Sequence, residues 1–228
     1  MKKVVFLIIS SHDSPVYGPM REISRQYFQK MQSVFQYHYF FLEHRGQEQE
    51  IEIEGDMMYA KGTEHYYGIL DKTQKAFRHI NQHLHYDMVI RTNLSSLWNF
   101  FALYDFLDNL YDKGIATGIC NTNCISGTGI MLSQDVCKTL CDTMIYDESM
   151  PDDVILRHNL ERFMTIQHAP TSIRCVLIDG PHNVLPPNLQ SFVYFRVKNE
   201  LNRMEYDIPL FKYVVKELYN IDVAPEQV

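Results

Sequence analysis

Tyr86-Asp87-Met88-Val89-Ile90-Arg91-Thr92-Asn93-Leu94-Ser95-Ser96-Leu97-Trp98-Asn99 is the stretch on which the fold turns. Met88 to Ile90 form an apolar, β-prone run that stops abruptly in polar residues. The residues after it have helical spacing. This predicts a buried strand ending at Thr92 and a helix over Leu97–Leu110, with Lys113-Gly114 as its C-terminal stop. In an open α/β sheet, ligands bind outside the carboxyl ends of such strands, so this corner is a candidate binding site.

The same alternation extends outward in both directions. Lys3–Ser10 predicts a central strand, Ser11 to Pro15 a polar turn, and Tyr17–Gln32 a helix. Tyr37–Glu43 predicts a second strand, and Gln49–Glu54 a half-exposed edge strand. Tyr66–Leu84 predicts an amphipathic helix. Beyond the opening stretch, Ile115–Cys120 and Thr128–Leu132 read as strands, with Ser133 capping a helix from Gln134 to about Tyr146. Pro151, at a first helical position, opens Asp152–Phe163. Ile173–Ile178 and Phe192–Val197 read as strands and Ile208–Asn220 as a final helix. Strands alternating with helices imply an α/β protein: a single Rossmann-like domain with a mostly parallel mixed sheet flanked by helices.

Composition narrows the function. With 228 residues, 46% hydrophobic and 21% charged, the chain is long and apolar enough for a full core. A formal charge of −7 gives no basic footprint for nucleic acid. Met1-Lys2-Lys3 before Val4–Ile9 has the charge pattern of a signal peptide, but the apolar run is too short and Ser10 to Ser14 break it. No stretch approaches the roughly 20 apolar residues of a membrane span. The expectation is a soluble, cytoplasmic protein. Five cysteines, an odd number, argue against a disulfide framework. Cys137 and Cys141 share one helix face, where they act as small core side chains rather than zinc ligands.

Four collinear blocks resemble a β-1,3-galactosyltransferase/Fringe-type glycosyltransferase, an inverting enzyme of the GT-A fold. Asp56-Met57-Met58 is followed by Glu64-His65-Tyr66-Tyr67-Gly68-Ile69-Leu70-Asp71-Lys72-Thr73, similar to Asp-Ile-Ile and Asp-x-Tyr-x-Asn-Leu-Thr-x-Lys-Thr at the same spacing. Arg91–Asn99 resembles Lys-Thr-Asp-Asp-Asp-Val-Phe-Val-Asn. Ser126–Ser133 resembles Ser-Gly-Gly-Gly-Tyr-Val-Leu-Ser, and Pro151-Asp152-Asp153-Val154 resembles Pro-Asp-Asp-Val or Pro-Glu-Asp-Val. The resemblance spans roughly residues 3–165, and the last quarter of the chain carries no matching motif.

The resemblance implies a nucleotide-diphosphate sugar donor and a glycan or other hydroxyl acceptor, with a donor half over about 1–120. The acceptor half and a C-terminal extension would occupy about 121–228. Because the chain begins directly with its first strand, a bacterial or viral version of the family is expected. The resemblance puts Asp56, Lys72, Arg91, Asn93, Leu94 and Ser95 at the donor, and sheet topology adds Ser10, Ser11, His12 and Asp13.

Asp152 and Asp153 are the catalytic candidates, and the resemblance implies Asp153, the acid immediately before the valine, as the base. An inverting transfer needs one group to take the acceptor proton, and two adjacent acids raise one another's pKa. The plain alternative is an acid pair complementing a helix dipole. Arg157 departs from the family, which usually has glycine there. Gly127-Thr128-Gly129 is either a turn into a strand or a place of close approach to the acceptor. Trp98 and the Tyr37–Phe41 aromatics are read as core.

Asn93-Leu94-Ser95 lacks the acids that hold Mn²⁺ or Mg²⁺ in the family. Three outcomes stay open. The enzyme works without metal, using Lys72 or Arg91; it binds Mn²⁺ or Mg²⁺ through other groups such as Asp87, Asp179 or His182; or it is an inactive nucleotide-sugar or glycan-binding module. A methyltransferase-like Rossmann enzyme is disfavoured by the missing glycine-rich turn after the first strand.

Overall fold

The computed structural model describes residues 1–120, 124–147, 149–168, 175–178, 188–199 and 202–223. The first strand, β1 (Val4–Ile9), is apolar at all six positions and buried on both faces. Val4, Phe6 and Ile8 point to one side of the sheet, Val5, Leu7 and Ile9 to the other. Each such side chain contributes about 1.5–3 kcal/mol when fully buried, which places β1 at the centre. It pairs in parallel with β2 (Tyr37–Arg45) on one side and β5 (Met88–Asn93) on the other.

The remaining strands of the main sheet are β3 (Ile51–Glu54), β4 (Met57–Lys61), β7 (Ala116–Gly118), β8 (Ile130–Ser133) and β9 (Gln167–His168). The strand order is β3-β4-β2-β1-β5-β8-β7-β9. Pairings β1–β2, β1–β5, β2–β4 and β7–β9 are parallel, and β3–β4, β5–β8 and β7–β8 are antiparallel. The sheet is therefore mixed. Strands β2 and β4 are added on one side of β1 and β5 on the other, so the order of addition reverses between the parallel neighbours β1 and β5, where the backbone N–H of Leu94 donates to Ile9 O at 3.1 Å. A crevice at such a switch point is where α/β sheets bind ligands.

Helices α1 (Tyr17–Met31), α3 (Phe100–Asp108) and α6 (Arg203–Tyr219) cover the face carrying Phe6. Helices α2 (Ile69–His83), α4 (Gln134–Thr143) and α5 (Asp152–Glu161) cover the face carrying Leu7. Cys137 and Cys141 are buried under α4, where Asn81 Nδ2 donates to both sulfurs at 3.6 and 3.5 Å. No helix among the described residues is long and apolar enough to cross a membrane.

The largest departure from the sequence reading is at Leu97. The chain does not enter a helix there. Ser96–Trp98 forms β6, antiparallel to β11 (Tyr194–Val197), which also pairs in parallel with β10 (Cys175–Ile178) in a second small sheet. The helix starts only at Phe100, with Asn99 as N-cap accepting from Ala102 N. A three-residue strand has too little periodicity to show without its partner. Gly114 (φ +69°) stands in a loop well past the end of α3, whose C-cap is Asn109. Helix α6 starts earlier than expected because Asn202 caps it, its Oδ1 accepting the Glu205 N–H at 3.3 Å while its Nδ2 donates to the Glu205 carboxylate at 3.1 Å. Strands β4 and β9 were not expected, helix α4 ends at Thr143, and Pro151 is the N-cap of α5 rather than its first residue.

Candidate functional site

The carboxyl ends of β1, β2 and β4 open into a cavity of about 680 Å³, walled in part by His12, Arg21, Glu43, His44, Tyr59 and Glu64. Strand β2 ends in Glu43-His44-Arg45 as abruptly as β1 ends in Ser10, so the strand-end logic applies to both. Ser10 Oγ donates to Glu43 Oε1 at 2.7 Å, and Arg21 Nη1 sits 2.5 Å from the same oxygen. His12 is exposed, with Nδ1 3.6 Å from Glu43 Oε2 and Nε2 3.3 Å from Asp13. Ser11 Oγ accepts from Asp13 N, which folds the turn on itself.

Lys72 is not a solvated helix lysine. Its side chain is fully buried, donating to Ser10 O at 2.9 Å and to Glu64 Oε1 at 2.5 Å. Burial lowers its pKa against the opposing pull of Glu64. Glu64 Oε2 in turn accepts the backbone N–H of His44 at 2.8 Å. The His44 imidazole is wedged between two glycines. A Cβ on Gly62 would stand 2.7 Å from its ring, and one on Gly68 2.9 Å. Its Nε2 lies 3.1 Å from Asp71, while Nδ1 is buried with no hydrogen-bond partner. Burial opposes ionisation of Asp71, but hydrogen bonds with His44 and Lys75 outweigh it and hold this carboxyl below its usual range.

Beyond β5, Arg91 carries the second half of the site. Alternation along β5 puts Arg91 on the same face as Val89, where an apolar residue is expected, and the side chain is buried. It forms an ion pair with Asp152 at the first position of α5, donates to Gly127 O at 2.7 Å, and reaches Asn93 Oδ1 at 3.3 Å. Its Nε has no partner. Asp153 is half-buried next to this pair. Burial, and then the neighbouring Asp152, raise its pKa, although it accepts backbone N–H groups from Val154 and Gly127. Arg91 also lies close enough to Lys72 to depress its pKa. A belt of charge thus runs from Glu64 through Lys72 and Arg91 to Asp152 and Asp153.

Several expected contacts fall elsewhere. Leu94 joins the core and Ser95 is buried, with its carbonyl accepting from Val197 N, so only Asn93 of the three is partly open. Gly127 and Gly129 are glycine for internal reasons: a Cβ on Gly127 would collide with Arg91 Nη1, and one on Gly129 would stand 2.9 Å from Trp98. Thr128 Oγ1 is engaged with Tyr194 OH at 2.8 Å and Ser126 Oγ at 2.9 Å. Asp56 stands apart, at the start of β4, in a bidentate pair with Arg25 at 2.6 and 3.0 Å. Asp87 is at the opposite end of β5, accepting from Lys3 N. Asp179 and His182 lie outside the described residues.

The resemblance implies a divalent cation, and the described residues do not fit one. No three histidine, cysteine or acidic side chains converge among them. Asn93 offers a neutral oxygen, and Asp152 is already spent on Arg91. Glu43, His44, Glu64 and Arg21 were missed as site residues, although the polar end of β2 gave the same signal as the end of β1. Compared with known proteins, the chain matches no family model and no curated protein.

Proposed function

We propose that this chain is a GT-A-type glycosyltransferase that moves a sugar from a nucleotide-diphosphate donor to a hydroxyl acceptor with inversion. The observation that carries the reading is the split between the two adjacent acids. Arg91 neutralises Asp152, leaving Asp153 as a half-buried carboxylate of raised pKa on the same helix start. Enzymes tune a general base in this way, by burial beside a like charge.

In the proposed reaction, Asp153 takes the acceptor O–H proton as the oxygen attacks the anomeric carbon. The bond from that carbon to the diphosphate oxygen breaks, and the nucleoside diphosphate leaves with the electron pair. The nucleotide occupies the cavity at the ends of β1, β2 and β4, with its phosphates towards Lys72 and Arg91. No step is routed through a metal.

The test is thermal stabilisation by a panel of nucleoside diphosphates, measured with Mn²⁺ and with EDTA. Binding to the native state raises the melting temperature by linkage. Stabilisation of similar size in both conditions is the expected result, and no shift at millimolar nucleotide would remove the donor site. A second reading, a silent nucleotide-sugar or glycan-binding module, is favoured by the burial of Leu94 and Ser95 where the family has metal-binding acids. Nucleotide binding without turnover would select it.

A further inference from the structure

The segment expected to meet the acceptor, Gly127-Thr128-Gly129, is consumed by contacts to Arg91, Trp98 and Tyr194. The surface beside Asp152 and Asp153 comes instead from a different part of the chain. Tyr66 and Tyr67 open a single 3₁₀ turn (Tyr66–Gly68) ahead of α2, and they are 62% and 51% exposed. Their rings meet edge to face, with centroids 5.3 Å apart and planes at 83°, forming an open corner. Tyr146 OH reaches Tyr67 O at 3.4 Å from the α4–α5 connection, beside the exposed Ile145. The Tyr66 phenol is close enough to Asp152 and Asp153 that, after burial, these two carboxylates are the main groups raising its pKa.

From this corner we infer a sugar-binding platform: Tyr66 and Tyr67 seat the acceptor as an uncharged pyranose, its C–H face on the rings and its hydroxyls towards Asp152 and Asp153. The inference rests on the proposed transferase reading and adds to it the acceptor class and the residues that hold it. A pyranose has an apolar face and an equatorial rim of O–H donors, and the corner offers an aromatic face next to acceptor-only carboxylates. Two large aromatic side chains exposed together on one turn form an apolar surface of the kind that marks a binding site rather than a core. With Asp152 held by Arg91, the remaining carboxylate, Asp153, disfavours an acceptor that carries its own carboxylate, so a uronic acid should bind worse than the parent sugar.

Saturation-transfer NMR on the full chain with the methyl β-glycosides of glucose, galactose, N-acetylglucosamine and glucuronic acid tests this without any donor. Transfer to the ring C–H protons of at least one neutral glycoside is expected, with weaker transfer to the glucuronide. Tyr66→Ala and Tyr67→Ala should each weaken binding by about tenfold, the scale of one lost aromatic contact. Tyr66→Phe should keep it, since the ring and not the hydroxyl is used. Both alanine variants replace exposed side chains and should melt with the wild type. Unchanged transfer in Tyr66→Ala and Tyr67→Ala, stronger binding of the glucuronide, or no transfer from any neutral glycoside at millimolar concentration would overturn the platform. Stabilisation of Tyr66→Ala by nucleoside diphosphates would show that the donor reading survives that failure.

Discussion

Arg91 of β5 and Asp152 of α5, 61 residues apart in sequence, form an ion pair inside the protein. Both side chains are largely buried, 1% and 12% exposed, so neither charge can fall back on water. Removing one partner of such a pair strands the other. Arg91→Met should therefore cost about 3–5 kcal/mol of stability, and Asp152→Asn should also destabilise. The double variant should recover part of the loss, with a coupling of at least about 1 kcal/mol in a urea-melt cycle. Additive single effects would mean that the pair does not hold α5 to the sheet.

Asp153 should make the protein less stable at neutral pH than it would be with a neutral side chain there. Its pKa is raised on folding, first by burial and then by Asp152. Such a carboxyl supports folding fully below its unfolded pKa of about 3.9. That support is lost as pH rises through the higher folded value. Asp153→Asn, which mimics the protonated acid, should melt above wild type at neutral pH, with the gap closing towards about pH 4. A gap independent of pH would contradict the shift.

The glycines divide into two kinds. Gly127→Ala sets a Cβ against Arg91 Nη1 and should cost about 1–3 kcal/mol. Gly18→Ala, in the first turn of α1 with nothing within 4 Å of the new Cβ, should stabilise by up to about 1 kcal/mol. Paired thermal melts check both. A neutral Gly127→Ala would show that Arg91 has room to move.

How much of this could be read in advance depended on range. Strand β1 was readable because six apolar residues in a row leave no polar face, the end of β5 because polar residues interrupt an apolar run there, and the start of α5 because Pro151 marks it. Strand β6 was not readable, since only its pairing to β11, almost a hundred residues away, makes three residues a strand. The burial of Lys72 was not readable, because nothing local shows that Ser10 O and Glu64 surround its amine. Gly127 pointed to a close approach, and the close neighbour is Arg91 rather than a ligand. The Asp152-Asp153 pair was visible as a motif, but the division of labour between the two acids is set by Arg91 and exists only in the folded chain.

Nucleoside diphosphate release from a panel of uridine, guanosine and thymidine diphosphate sugars, with neutral glycosides as acceptors, measures the central claim. Wild type should release nucleotide from at least one donor, faster with acceptor than without. Asp153→Asn should bind the same nucleotide and turn over about 10²–10⁴-fold more slowly, the usual loss when a general base is removed. Release by Asp153→Asn at the wild-type rate, or no release by wild type from any donor, would contradict it.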